Sequence, residues 1–219
     1  MSVNLQANPP GIWVYVMALV PPVLLSVVAE FQPFVDSSEL FRDTLAVAQT
    51  AADNGECCRA YYGLISTLGG LVWIGSAFIT LFVAVSLFNR PSTSGATQFM
   101  VWATALTLAL VLDDMFQLHE YIYPYVIGIP QKVVMLIYGV LVAAYLYKFQ
   151  RHIFAVGPGL LIISLFTFMV SAVADMFVSA DLAWHRLVED GSKLVGIFSW
   201  TAFHWWAAFS LIERSSQPD

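Results

Sequence analysis

"YYGLISTLGGLVWIGSAFITLFVAVSLF", residues 61–88, is an apolar run without one charged side chain. Roughly 20 consecutive apolar residues carry a helix across the hydrocarbon core of a bilayer, and this run is long enough. It lacks the alternation of apolar and polar residues that a membrane-barrel strand would show. A transmembrane helix follows. Its small residues Ser66, Gly70, Ser76 and Thr80 recur at helical spacing, the pattern that lets helix backbones approach closely in lipid.

Five further runs of the same kind lie outward from it, at 12–30, 99–118, 132–149, 159–180 and 193–212. The composition of all 219 residues agrees: 59% are hydrophobic, 11% are charged and the mean hydropathy is +0.74, outside the range of soluble domains. The expected fold is all-α, a polytopic integral membrane helical bundle of about six spans forming one transmembrane domain over residues 1–219. The formal charge of -6, with no basic stripe, excludes nucleic acid as a partner. Membrane lipid is the expected neighbour, with a homo-oligomer or a larger membrane complex left open. The first 11 residues have no positive n-region and no A-x-A-like site follows, so the first span is expected to be retained.

Local signals add detail. Pro21-Pro22 removes backbone donors within the first span and should kink it. In the first connection Leu40, Phe41, Thr44, Leu45 and Ala48 recur at helical spacing between Ser37-Ser38 and Asn54-Gly55. That spacing predicts an amphipathic helix on the membrane surface. Cys57 and Cys58 are adjacent, so together they cannot staple distant segments.

Charge is segregated. The basic residues divide almost evenly between the two sides, but Arg90, Lys148 and Arg151 crowd short loops against span ends, which favours a cytoplasmic face there. Of the 15 acidic residues only Glu213 and Asp219 belong to that side. The remainder, with Glu30, Asp113, Asp114 and Asp175 at span ends, point to an acidic cluster on the extracytoplasmic side of the cell membrane. Charges inside a bilayer cost about 2.5 to more than 10 kcal/mol, so residues such as these usually face a cavity, a partner or an ion.

"LALVLDDMFQLHE", residues 108–120, holds the densest chemistry. On a continuous helix Asp113, Gln117 and Glu120 share a face, while Asp114 and His119 project elsewhere. In "DLAWHRLVEDGSK" Asp181, His185 and Glu189 fall four residues apart on a helix that Gly191 should end or bend. Carboxylate and imidazole donors at such spacing suit a divalent ion, and the expected ligands are Glu30, Asp113, His119, Asp175, His185 and Glu189 around zinc, manganese or iron. Ordinary ion pairs on a solvated juxtamembrane helix would give the same pattern. His204, within "FSWTAFHWWAAF", could ligate a pigment or haem or shuttle protons, or simply bond a neighbour's hydroxyl.

Helical spans combined with Ser66, Asp113 or Asp114, and His119 resemble the alkaline-ceramidase and adiponectin-receptor type of zinc-dependent membrane hydrolases. Those proteins have seven spans and a terminal His-x-x-x-His pair, whereas here the last span offers only His204 beside Trp205 and Trp206. No residue's role transfers across that departure. Two functions fit the residues themselves. One is a metal-dependent enzyme acting on a lipid-like substrate at the membrane interface, with Asp114 or Glu120 as general base. The other is a non-catalytic cation or proton transporter, or an accessory subunit, using the same carboxylates.

Overall fold

A computed structural model describes residues 9–42, 59–89, 93–178, 182 and 184–215. Every regular element among the described residues is helical: α1 (Ile12–Phe31), α2 (Ser37–Phe41), α3 (Leu64–Leu87), α4 (Ser94–Met115), a π-helix (Leu118–Ile127), α5 (Gln131–Val156), α6 (Gly159–Phe177) and α7 (His185–Ser215). Six of them, all but α2 and the π-helix, are long and apolar enough to span a membrane. The protein is a helical bundle with the make-up of an integral membrane protein. Span ends differ from the expected ones where polar residues continue a helix or where the helix stops short. The third span stops at Met115 rather than 118, and the last begins at His185 rather than 193.

The chain divides into two compact bodies, one of Met1–Gly11, Trp73–Gly159 and Thr201–Asp219, the other of Ile12–Val72 and Leu160–Trp200. In the second body Ala29, Leu40, Phe41, Ile65 and Leu194 form a buried cluster, with Leu25, Val35, Tyr61 and Phe198 packed around it. α1 runs through Pro21 and Pro22 without ending. Close approach here depends on small residues: a Cβ on Gly196 would sit 2.8 Å from the Phe168 ring, and the Gly196 carbonyl accepts a 2.9 Å hydrogen bond from the Ser164 hydroxyl.

α2 corrects the expected surface helix in its first part. The Asp36 carboxylate, not Ser37 or Ser38, caps it by accepting from the Ser38 amide at 2.8 Å, the usual way an N-terminal donor is satisfied. Hydrogen bonds from Ser38 hold the Asp36 carboxyl below its ordinary pKa. The helix ends at Phe41 because Arg42 is extended, and Leu40 and Phe41 are buried instead of facing headgroups. The Ser66 hydroxyl fastens this turn by donating to the Phe41 carbonyl at 2.6 Å. Thr44, Leu45, Ala48, Cys57 and Cys58 lie outside the described residues, as does Arg90.

The first body is built from most of α3, from α4, the π-helix and α5, and from the last part of α7. Phe99, Tyr145, Phe149 and His152 form an aromatic seam between α4 and α5, with ring centroids 5.4–6.1 Å apart. Such rings contribute large buried area and fixed geometry. The buried face of α4 also carries Thr97, Thr104, Thr107 and Asp113. Thr80 of α3 and Thr104 meet hydroxyl to hydroxyl at 2.8 Å.

Candidate functional site

Asp113 is buried in the last turn of α4, 4% exposed. A continuous helix would turn His119 away from it, but the helix does not continue. The Phe116 amide closes the final turn on Leu112, and Gln117 then takes the left-handed conformation (φ 47°, ψ 43°). It is the one non-glycine residue with positive φ among those described, a conformation that costs a residue with a Cβ about 1–2 kcal/mol. The chain re-enters as a π-helix, whose wider turn is shown by the Ile122 amide reaching the Gln117 carbonyl five residues back. π-Helical turns concentrate at functional sites. Gly128, also left-handed at φ 84°, ends the segment.

The reversal brings His119 back onto Asp113. Its Nδ1 lies 2.5 Å from Asp113 Oδ2, and its Nε2 lies 3.4 Å from Glu120 Oε1. The other Asp113 oxygen accepts a 2.8 Å hydrogen bond from the Tyr138 hydroxyl of α5. Gln117, itself buried, donates from Nε2 to the second Glu120 oxygen at 3.2 Å. Exposure is graded along this chain. The side chain of Glu120 is 36% exposed, that of His119 11% and that of Asp113 6%.

The electrostatics follow from the geometry. Burial opposes a charged imidazole, but the hydrogen bonds and coulombic attraction of Asp113 and Glu120 more than offset it and push the His119 pKa up to about 10. Both ring nitrogens face carboxylate oxygens, so both must donate, and the ring is an imidazolium at neutral pH. An imidazolium has no lone pair for a metal.

The proposed ligand set divides between the two bodies. Asp113, His119 and Glu120 meet in the first, and Asp114 is half-buried in the same turn as Asp113. Glu30, Asp175, His185 and Glu189 belong to the second. There His185 opens α7, with Nδ1 3.1 Å from Glu189 and Nε2 3.3 Å from the Ala174 carbonyl. Both its nitrogens are thus occupied by oxygen acceptors as well. Asp181 lies outside the described residues. Gly191 does not end the helix: α7 continues to Ser215, and the glycine packs against Ser26 of α1. Among the described residues no group of three or more His, Cys, Asp or Glu side chains could hold a metal ion.

Sequence periodicity places Gln117 beside Asp113 and Glu120 but does not show that it breaks the helix, and no motif in the sequence marks Tyr138 among the aromatics of its span. The usable signal is the spacing of Tyr138 and Tyr145, seven residues apart, which keeps both hydroxyls on one side of α5. His204 meets a neighbour's hydroxyl. Its Nε2 lies 2.9 Å from the Tyr145 hydroxyl, deep in the first body.

Fold and site together define a polytopic helical membrane protein with a carboxylate, imidazole and phenol linked in series at the end of a span. The chain belongs to the family described as a domain of unknown function (DUF8692), which covers residues 13–207. No curated protein and no solved structure was found to match it.

Proposed function

We propose that the protein is a proton-handling membrane carrier whose Asp113–His119–Glu120–Tyr138 centre takes up and releases protons. The observation that carries this reading is the hydrogen-bonded series from half-exposed Glu120 through His119 to buried Asp113. The His119 imidazolium can give its Nδ1 proton to Asp113, and the neutral ring, once it turns its bare nitrogen to Glu120, can take up a proton that Glu120 has received from water. Tyr138 stabilises the Asp113 carboxylate through its other oxygen. In this reading the acidic end faces away from the cytoplasm, because Lys148 and Arg151 lie towards the opposite end of α5. The Lys148 ammonium sits 4.7 Å from the centre of the Trp102 ring, a pairing suited to a membrane interface.

The metal-dependent enzyme gains no support from the donor geometry, since the imidazoles that would bind the ion already face other partners. Titrating zinc chloride into the purified protein near pH 7, while following the ring nitrogens of His119 by NMR, separates the two readings. The proton reading expects the imidazolium signals to persist. Loss of the ring protons as one zinc ion binds per chain would overturn it.

A further inference from the structure

The His119 ring is held at both nitrogens, by Asp113 at 2.5 Å and by Glu120 at 3.4 Å. Turning the ring breaks both contacts at once. We infer that the π-helix Leu118–Ile127 is a hinged lid over buried Asp113, latched by the His119–Asp113 ion pair and released when the proton crosses to Asp113. The inference deepens the proton-handling reading of the centre and rests on it.

The segment has the build of a unit that moves as one piece. It is bounded by two left-handed residues, Gln117 at φ 47° and Gly128 at φ 84°, so no helix runs on through either end. Hinges are a few element-terminal residues of this kind, which absorb a change of φ and ψ. The end turns close on the Gln117 and Tyr123 carbonyls, and among the described residues no backbone hydrogen bond runs from 118–127 to α4 or α5. None of the ten residues of the segment is buried, whereas α4 buries ten of its own, Asp113 among them. Segments with few buried contacts open locally at low cost. The centre therefore joins a fixed helix to a movable one.

Both arms of the centre attach to the lid. His119 pairs with one Asp113 oxygen, and Tyr123 interacts with Tyr138, whose hydroxyl donates to the other. The titratable groups acting on His119 are Asp113 and Glu120, and those acting on Tyr138 are Asp113 and Tyr123. Asp114 and Lys132, the other charged residues at the facing helix ends, are also engaged. When the Nδ1–H bond breaks and an O–H bond forms on Asp113, ring and acid are both neutral, and a charge-assisted bond becomes an ordinary, weaker one. The lid then carries the neutral ring away, and its bare nitrogen takes the proton that Glu120 has received from water. Asp113 keeps the first proton, parted from the group that gave it.

The outer face of the segment suits such a movement. Tyr121, Tyr125, Val126 and Ile127 are exposed, and aromatic residues in this setting rest at the interface between bilayer and water. Opening therefore draws no buried side chain of the lid into water.

The test is a distance measured in the full chain in lipid nanodiscs. Spin labels are attached to Tyr125→Cys on the lid and Tyr147→Cys on α5, both exposed positions of the first body, in a background carrying Cys57→Ser and Cys58→Ser. Pulsed electron resonance reads their separation. Near neutral pH one closed distance should dominate, with an open population of at most about a tenth. Raising the pH through about 10 removes the His119 charge, and the open population should then grow to at least about half. Asp113→Asn should be open already at neutral pH. His119→Gln, which has no titrating ring, should show no change across the same window. A distance that stays fixed as the pH passes 10 would overturn the lid, even where Asp113→Asn fails to fold. A pH-dependent shift that survives in His119→Gln would overturn it too. NMR of His119 in the same samples keeps two failures apart. An imidazolium persisting to about pH 10 with a fixed distance sinks the lid alone, whereas titration near the ordinary 6.5 sinks the centre.

Discussion

Replacing Asp113 by asparagine isolates the force that keeps His119 charged. The substitution preserves shape and still offers an oxygen to Nδ1, but removes the negative charge 2.5 Å away. The rise of the imidazole from its ordinary 6.5 to about 10 corresponds, at about 1.4 kcal/mol per pH unit, to roughly 5 kcal/mol favouring the charged ring. Burial remains in the variant and works against the charge. Only Glu120, longer at 3.4 Å and more exposed, still opposes it. The His119 pKa should therefore fall from about 10 to near or below its ordinary value. Nitrogen-15 histidine spectra recorded across the pH range measure this directly, with His119→Gln identifying the signal among the four histidines of the chain. A variant that still titrates near 10 would show that Asp113 does not hold the ring charged.

Stability should follow the same group. Because the folded pKa of His119 is raised above the unfolded value of 6.5, its contribution is fully present below about pH 6.5 and lost as pH rises through about 10. The melting temperature in detergent should fall across that window, and less so in His119→Gln. Gln117→Val should destabilise by about 1–3 kcal/mol, since a β-branched residue resists the left-handed conformation that turns the chain; the His119 pKa should drop with it, and an unchanged titration would count against the role given to this turn. Gly196→Ala should lower the melting temperature through its 2.8 Å conflict with Phe168, a loss of about 1–3 kcal/mol. Gly139→Ala, with nothing within 4 Å of the new methyl, should be neutral or stabilise by up to about 1 kcal/mol.

The spans were legible because bilayer thickness imposes a length on apolar runs that soluble folds do not face. Residues 64–87 and 12–31 could hardly be misread. The ends were less clear. His185, Arg186, Glu189 and Lys193 look like a loop by composition, yet α7 begins at His185. Partial burial and the His185–Glu189 pair let a helix carry those charges.

The centre was half legible. Asp113 and Glu120 could be placed together from helical periodicity, and both are there. Periodicity puts His119 on another face because it assumes an unbroken helix, and the turn at Gln117 replaces that period with a π-helical one. No local propensity announces a left-handed glutamine. It becomes understandable only with its tertiary support, a buried side chain bonded to Glu120. Tyr138 was hidden for a related reason, since its hydroxyl gains meaning only opposite a carboxylate 25 positions away.

The Thr80–Thr104 contact has one more consequence. Thr80 Oγ1 also lies 3.1 Å from the Ser76 carbonyl and 3.0 Å from that of Ala77, and Thr104 Oγ1 lies 2.9 Å from the Met100 carbonyl. Either hydroxyl can therefore point at the other while its partner points at its own backbone, with the heavy atoms in the same places. The two settings differ only in where the hydroxyl protons sit, so the contact can exchange donor and acceptor without any change of fold.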